Sequence, residues 1–250
     1  MSEIVGPVAR LYILDYGLFQ VHANGRVIGI PGFLIQTAGG QNILVDTGFP
    51  IRYTEDAEAA TLADGLEVFG RVLAMGPENQ PAPQLAKVGL RPEDIDLVIM
   101  THSDIDHVGG IADFPAAPML IGAAERALPA PRYFGSARPM SWPEDVEYQL
   151  VTEDMTLCEG VQVLLTPGHA PGQLSLLLTL PETGPVLLTG DAISRPAELE
   201  EGFGGAWDET QARQNAERLL ALATEQGAFI IYGHDPRQWP ALRKAPAFYG

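Results

Sequence analysis

Four side chains able to bind metal ions or move protons, His102, Asp104, Asp106 and His107, lie close together in the stretch Thr101–Gly110, THSDIDHVGG. Extended backbone over His102-Ser103-Asp104 would point His102 and Asp104 to one side, because alternate side chains share a face. A turn into helix near Asp106 would swing Asp106 and His107 away, toward a second centre. Gly109 and Gly110 would let backbone approach closely. Taken alone, such a loop is ordinary, since surface His and Asp clusters that bind nothing are common. Three isolated signals favour metal chemistry: Thr166-Pro-Gly-His169, Thr189-Gly-Asp191 and Tyr232-Gly-His234-Asp235 each follow an apolar run. Four of the five histidines of the chain stand at these places, which scatter over a surface does not readily produce. Facing carboxylates also need a cation, since each would otherwise raise the other's pKa. The fifth histidine, His22, falls outside the set and reads as a loop or pocket-lining residue.

These side chains need strands behind them. Ile95–Met100 reads as a buried strand that ends at the His102 loop, and Val161–Leu165, Val186–Leu188 and Ala228–Ile231 play the same part for His169, Asp191 and His234. Ala9–Leu14 reads as a further strand. Gly32–Gln36 and Asn42–Asp46 form a hairpin about Gly39-Gly40, and Pro181–Gly184 turns a second one. Residues 51–82 read as a surface excursion with short helix at Glu55–Gly65 or Leu66–Met75. Helices are expected from Pro81 to Val88, stopped at Gly89, over Gly110–Phe114 and Ala123–Leu128, and over Gln211–Gln226. The last has Ala212, Ala216, Leu219, Leu220 and Ala223 at helical spacing, with Asp208 or Thr210 as its cap. Residues 192–208 read as a Gly- and acid-rich loop. The proline-rich stretch 129–143, with Tyr133, Phe134 and Trp142, is a candidate substrate wall or an aromatic loop clamped on the core.

The whole chain sets bounds on partners. At 250 residues and 46% apolar composition it can bury a large core, and no linker or repeat divides it, so residues 1–250 are expected to form a single domain. The N-terminus has no targeting pattern and no apolar run approaches membrane-spanning length, so no membrane partner is expected. The lone Cys158 excludes an internal disulfide and suits a reducing, cytoplasmic compartment; it reads as a small buried hydrophobe. With 32 acidic against 15 basic residues, net −17, a nucleic-acid partner is disfavoured, because phosphate backbones are bound through Lys and Arg.

Taken together, His102-x-Asp104-x-Asp106-His107, then His169, Asp191 and His234, resemble the ligand set of the metallo-β-lactamase superfamily, HxHxDH followed by His, Asp and His. The chain is especially similar to the N-acyl homoserine lactonase branch, from the Asp46-Thr-Gly48 strand end through TPGHAPGQLSLLL and PVLLTGDA to the YGHD strand end. The resemblance implies an α/β fold, the four-layer αββα sandwich, with two divalent metal ions. It implies that His102, Asp104 and His169 hold one ion, that Asp106, His107 and His234 hold the other, and that Asp191 bridges them. It also implies a hydroxide between the ions as nucleophile on a lactone or ester carbonyl, with Asp106 as the catalytic group that passes a proton to the leaving alkoxide. The substrate would be a small molecule such as an N-acyl homoserine lactone, the role quorum quenching, and the assembly compatible with a homodimer.

Two positions depart from the family pattern. Asp104 stands where most members have a second His, so zinc is the expected metal, with iron or manganese gaining ground because carboxylate suits harder ions. Ser194 stands where the lactonase branch has a Tyr that hydrogen-bonds the substrate carbonyl, and Ser reaches that point only through a water. A phosphodiesterase or nuclease on the same fold would need a basic groove, which the acid excess disfavours. A metal-binding protein without enzymatic activity would be expected to have lost ligands.

Overall fold

The computed structural model of the chain describes residues 4–131 and 138–250. Among the described residues, thirteen strands form two sheets. The larger contains β1 (Val8–Val21), β2 (Val27–Thr37), β3 (Asn42–Val45), β4 (Gly70–Ala74), β5 (Leu97–Met100), β6 (Met119–Gly122), β7 (Tyr148–Val151) and β13 (Phe248–Tyr249). Its order is β13-β1-β2-β3-β5-β6-β7, with β4 also paired to β1. The smaller contains β8 (Met155–Cys158), β9 (Val161–Leu165), β10 (Leu174–Leu180), β11 (Gly184–Leu188) and β12 (Phe229–Ile231), in the order β12-β11-β10-β9-β8. The helices are α1 (Arg52–Glu55), α2 (Ala57–Asp64), α3 (Pro81–Ala86), α4 (Ile105–Val108), α5 (Ala123–Arg126), α6 (Glu198–Glu201) and α7 (Glu209–Gln226).

The layering follows from strand alternation. In β5, Leu97 and Ile99 face the smaller sheet while Val98 and Met100 face the helical side of their own sheet, as period-2 side chains must. Between the sheets, Ile13, Ile43 and Ile99 pack with Val163, Leu176 and Val186. Outside the smaller sheet, Ala212, Ala216, Leu219 and Ala223 of α7 cover Leu164, Leu177 and Leu187. On the far side of the larger sheet, Leu44, Val98 and Met100 lie under Ala60 and Leu85, from α2 and α3. The result is helix, sheet, sheet, helix, the αββα arrangement. Asp208 caps α7 by accepting a hydrogen bond from the Gln211 amide at 2.9 Å, and Gly227 ends it at φ +63.

Several elements differ from the sequence expectation. β1 runs well beyond Leu14, bending through Gly17, and β2 starts at Val27, upstream of the expected hairpin. Leu66–Met75 is not helix: after one 3-10 turn at Leu66–Val68, Gly70–Ala74 pairs with the end of β1. Tertiary pairing to a bent strand overrode local composition there. Helix does form at Ala57–Asp64, with Asp56 capping the Ala59 amide at 2.9 Å. β7 and β8 were not expected, and α6 interrupts the 192–208 loop. No helix of the described residues is long and apolar enough to cross a membrane. Cys158 is buried and free.

Candidate metal centre

Each candidate side chain is delivered by a strand end. Thr101–Asp104 leave β5 extended, α4 then turns away with Asp106 and His107, and His169, Asp191 and His234 follow β9, β11 and β12. α4 sits so close to the loop after β3 that a Cβ on Gly109 would lie 2.2 Å from the Phe49 carbonyl carbon and the Pro50 nitrogen. A Cβ on Gly233 would come within 2.6 Å of Asp191 Oδ1, so glycine there lets the His234 strand end abut Asp191.

All seven candidates meet at one place, at the cleft between the two sheets. His169 Nε2 lies 3.2 Å and His102 Nε2 3.6 Å from Asp104 Oδ2. His107 Nε2 and His234 Nε2 each lie 3.5 Å from Asp106 Oδ2. Asp191 faces both groups. Its Oδ2 is 3.8 Å from His169 Nε2, while its Oδ1 is 3.2 Å from His234 Nε2 and 3.7 Å from His107 Nε2. One carboxylate thus turns one oxygen to each set of imidazoles. Donor atoms of His102, His169 and Asp191 lie within 4.8 Å of one another, as do those of Asp106, His107 and His234.

Hydrogen bonds fix how the rings point. His107 Nδ1 donates to Asp46 Oδ2 at 2.8 Å, and His234 Nδ1 donates to the Gly29 carbonyl at 2.9 Å. Each bond directs the opposite nitrogen, Nε2, into the cluster. Asp46 also accepts from the Thr101 amide at 2.8 Å and the Thr101 hydroxyl at 2.7 Å. It adopts φ 60, left-handed backbone unusual for a non-glycine residue, held by these three bonds. Glu125 of α5, fully buried, accepts from Ser103 and from the Gly172 amide, and so ties the His102 loop to the segment after His169.

The residues fit divalent cations. His102 Nε2, His107 Nε2 and Asp191 Oδ1 are buried and make no hydrogen bond to any described residue. An unsatisfied buried polar atom costs about 1–3 kcal/mol, and imidazole nitrogens converging with carboxylate oxygens are the donors such ions take up. Electrostatics point the same way. Burial alone would lower His107, yet the Asp106 and Asp46 carboxylates hold it up at about 10. Burial would likewise lower His234, but Asp191 and Asp106 raise it to about 9. Burial would raise Asp104 and Asp191, and the neighbouring imidazoles hold both well below the usual carboxylate range. The cluster is a demand for positive charge.

Above it opens a cavity of about 410 Å³. Asp104, Asp106, His169, Asp191 and His234 form its floor, and Phe19, Ile28, Phe49, Leu66, Phe69 and Phe203 supply apolar wall. Ser194 lines it too, its hydroxyl donating to Asp191 Oδ2 at 3.4 Å. The expectation that 129–143 forms a substrate wall is not met among the described residues. Trp142 instead lies buried, donating Nε1–H to the Leu128 carbonyl at 2.8 Å, with the Arg126 guanidinium over its ring. Tyr133 and Phe134 lie outside the described residues. His22 is exposed on the β1–β2 turn, bonded through Nδ1 to the Glu67 carbonyl at 2.8 Å. Sequence reasoning missed the roles of Asp46 and Glu125. The only available signal was Asp46-Thr-Gly after an apolar strand, the same construction that flagged Asp191.

Known proteins are similar to this chain over nearly its whole length. An N-acyl homoserine lactonase from Bacillus cereus is 31% identical over 247 residues, covering 97% of this chain and 96% of its own. A mutant of B. thuringiensis AiiA, solved with N-decanoyl-L-homoserine at its active site, superposes with TM-score 0.84 at 27% identity, over 97% of this chain and 100% of that one. An N-acyl homoserine lactone hydrolase, solved with N-hexanoyl-L-homoserine at its catalytic metal center, superposes with TM-score 0.83 at 27% identity over the same shares. Residues 29–234, which include every side chain of the His/Asp cluster, match the model of the Metallo-beta-lactamase superfamily, and the chain belongs to that superfamily.

Proposed function

We propose that this protein is a metal-dependent hydrolase that opens the ring of a lactone, with N-acyl homoserine lactones as substrate class and quorum quenching as the role. The observation that carries the reading is Asp191, one oxygen toward His169 and the other toward His107 and His234, beneath a cavity with an apolar wall. The chain's relatives named as N-acyl homoserine lactonases support the substrate class. We assign His102, Asp104 and His169 to one ion, Asp106, His107 and His234 to a second, and Asp191 to both. Divalent ions bound there would supply Lewis acidity toward a carbonyl oxygen and bring the pKa of water down to about 7.

The chain's own residues do the rest. Asp106, its side chain 16% exposed at the cavity floor, accepts a proton at its carboxylate and delivers it to the leaving alkoxide. Phe19, Phe49 and Phe69 stack in series and provide an apolar bed for an acyl chain, excluding water from it. Ser194, tied to Asp191, approaches the carbonyl side of the substrate less closely than a phenol would. Zinc is the favoured ion, and Asp104, a harder ligand than imidazole, favours iron or manganese more than a second His would. The shared core between the sheets supports residues 1–250 acting as a single domain, and the lone buried thiol supports a reducing, cytoplasmic setting.

Metal analysis of protein purified without chelator, with a screen of lactones, aryl esters, phosphodiesters and β-lactams, tests this reading. Two ions per chain and a preference for lactones are expected. One ion or none after reconstitution sinks the dinuclear assignment, and preference for a phosphodiester sinks the lactone one.

A further inference from the structure

We propose that Arg26 makes this enzyme selective for lactones or esters carrying a carboxylate remote from the scissile bond. The proposal rests on the hydrolase reading above and names the substrate more narrowly.

Several arginines of the described residues are spent on ion pairs, Arg237 with Asp235 among them. Arg52 pairs with Asp64, Arg91 with Glu93 and Asp94, Arg195 with Glu201 and Arg218 with Asp154. Arg26 differs. It is half-buried and lines the cavity, yet its guanidinium makes no hydrogen bond or ion pair with any described residue. Only its backbone is bound: its amide donates to Asn24 Oδ1 at 3.1 Å and its carbonyl accepts from the Val21 amide at 3.0 Å. The fold therefore places Arg26 without using its charge.

The charged groups around it do not claim it. Glu201 gives its carboxylate to Arg195 at 2.5 Å, and Glu198 Oε2 accepts from the Ser194 amide at 2.9 Å. Burial, then the Arg195 guanidinium, lowers the pKa of Arg26, while Glu198, Glu201 and Asp191 oppose this; an arginine stays cationic throughout. A half-buried guanidinium that lines a cavity and has no ion pair among the described residues is open to an anion, and its planar fork suits carboxylate in particular.

Position supplies the distance. Arg26, just before β2, and Ile28, within it, both line the cavity, and the Gly29 carbonyl accepts the bond from His234. Three residues separate Arg26 from that contact by roughly 10 Å along the backbone, and Ile28 of the apolar wall lies between them in the chain. A substrate whose ester sits over the His/Asp floor can thus extend apolar atoms along the wall and present a terminal carboxylate to Arg26. In a chain of net charge −17, with Glu198 also lining the cavity, an anionic group held away from the His/Asp floor has in Arg26 a cation without an ion-pair partner among the described residues.

Kinetics of the metal-loaded protein on N-hexanoyl-, N-adipoyl- and methyl-adipoyl-homoserine lactone test the proposal. Arg26→Gln should lower kcat/KM on the adipoyl lactone about 10–100-fold, mainly through KM, as loss of a charged hydrogen bond does. The two neutral lactones should be unaffected, and Arg26→Lys should retain part of the adipoyl activity. Equal losses on all three lactones, or none on the adipoyl one, overturn the proposal. Calorimetry with suberate against octanoate asks the same without hydrolysis. Suberate should bind the wild type more tightly than octanoate does, and Arg26→Gln should erase the difference; an undiminished difference overturns the proposal. If no lactone is turned over, the lactone reading fails while the suberate result still decides the role of Arg26.

Discussion

The floor of the cavity is built from the ends of β5, β9, β11 and β12, with Asp46 at the end of β3 buttressing it. Its wall comes from other material: the end of β1 and start of β2 with the turn between them, Phe49 after β3, the 3-10 turn at Leu66–Val68 with Phe69, and the segment from Ser194 to Ala206. Floor side chains are buried apart from Asp106 and His169, at 16% and 20% exposed, and long-range bonds fix them, such as His107 to Asp46 and His234 to Gly29. Of the wall, Phe19, Ile28, Phe49 and Leu66 belong to the core beside the larger sheet, whereas Arg26 and Ser194 are half-buried and belong to no core cluster. The chemistry is therefore held rigid while the choice of substrate is left free to drift. Substitutions in the floor should cost catalysis whatever the substrate, and those in the wall should re-rank substrates.

The largest effect expected is from the floor. His169→Ala should reduce turnover to background on every substrate and lower Tm in the presence of metal, since an ion bound only to the folded state adds stability by mass action. Retained turnover with full metal content would break the contrast. Asp106→Asn should cost about 10²–10⁴ in kcat, the usual worth of a general acid–base group, with far-ultraviolet circular dichroism unchanged. In the wall, Ser194→Tyr should raise kcat/KM on homoserine lactones by up to about 10²-fold if its hydroxyl reaches the carbonyl oxygen, and should not alter metal content. A fall on every lactone tried would show that Ser194 does not occupy the carbonyl side of the pocket. Asp46→Asn should weaken metal affinity about 10–100-fold through the orientation of His107, measured by competition with a chromogenic chelator.

The same division decides what could be read from the chain. The floor was legible because each donor follows an apolar strand run, and local pattern is enough to see Ile95–Met100 ending at His102 or Asp208 starting α7. Asp104, the departure from the family pattern, falls among the other donors at 3.2 Å from His169. What failed was non-local. The pairing of Gly70–Ala74 with β1 depends on a bend at Gly17 that no window of sequence reveals. Asp46 earns its role from His107, 61 residues away, and Glu125 from Ser103 and Gly172. The stretch 129–143 left two alternatives open because Trp142 looks the same in composition whether it faces a substrate or the Leu128 carbonyl, and the described structure shows the second for Trp142.

A smaller effect follows from the electrostatics of the floor. His107 and His234, ordinarily near 6.5, stand at about 10 and about 9 without metal. Folded values above unfolded ones mean stability that is complete below about pH 6.5 and lost as pH rises through 9 and 10. Chelator-stripped protein should therefore lose Tm progressively from pH 6.5 to pH 10. Metal affinity should move the other way, because binding displaces these protons. A stripped protein with flat Tm over that range would contradict the assigned environment of the two rings.

The proposed lactone hydrolysis on two divalent ions is tested most directly by titration of chelator-stripped protein with zinc, or separately manganese, while following ring opening of N-hexanoyl-homoserine lactone by proton release. Activity should be absent at the start, rise with added metal and level off at two equivalents per chain. Ring opening by the stripped protein at full rate, or a plateau at two bound ions with no ring opening, would contradict the account.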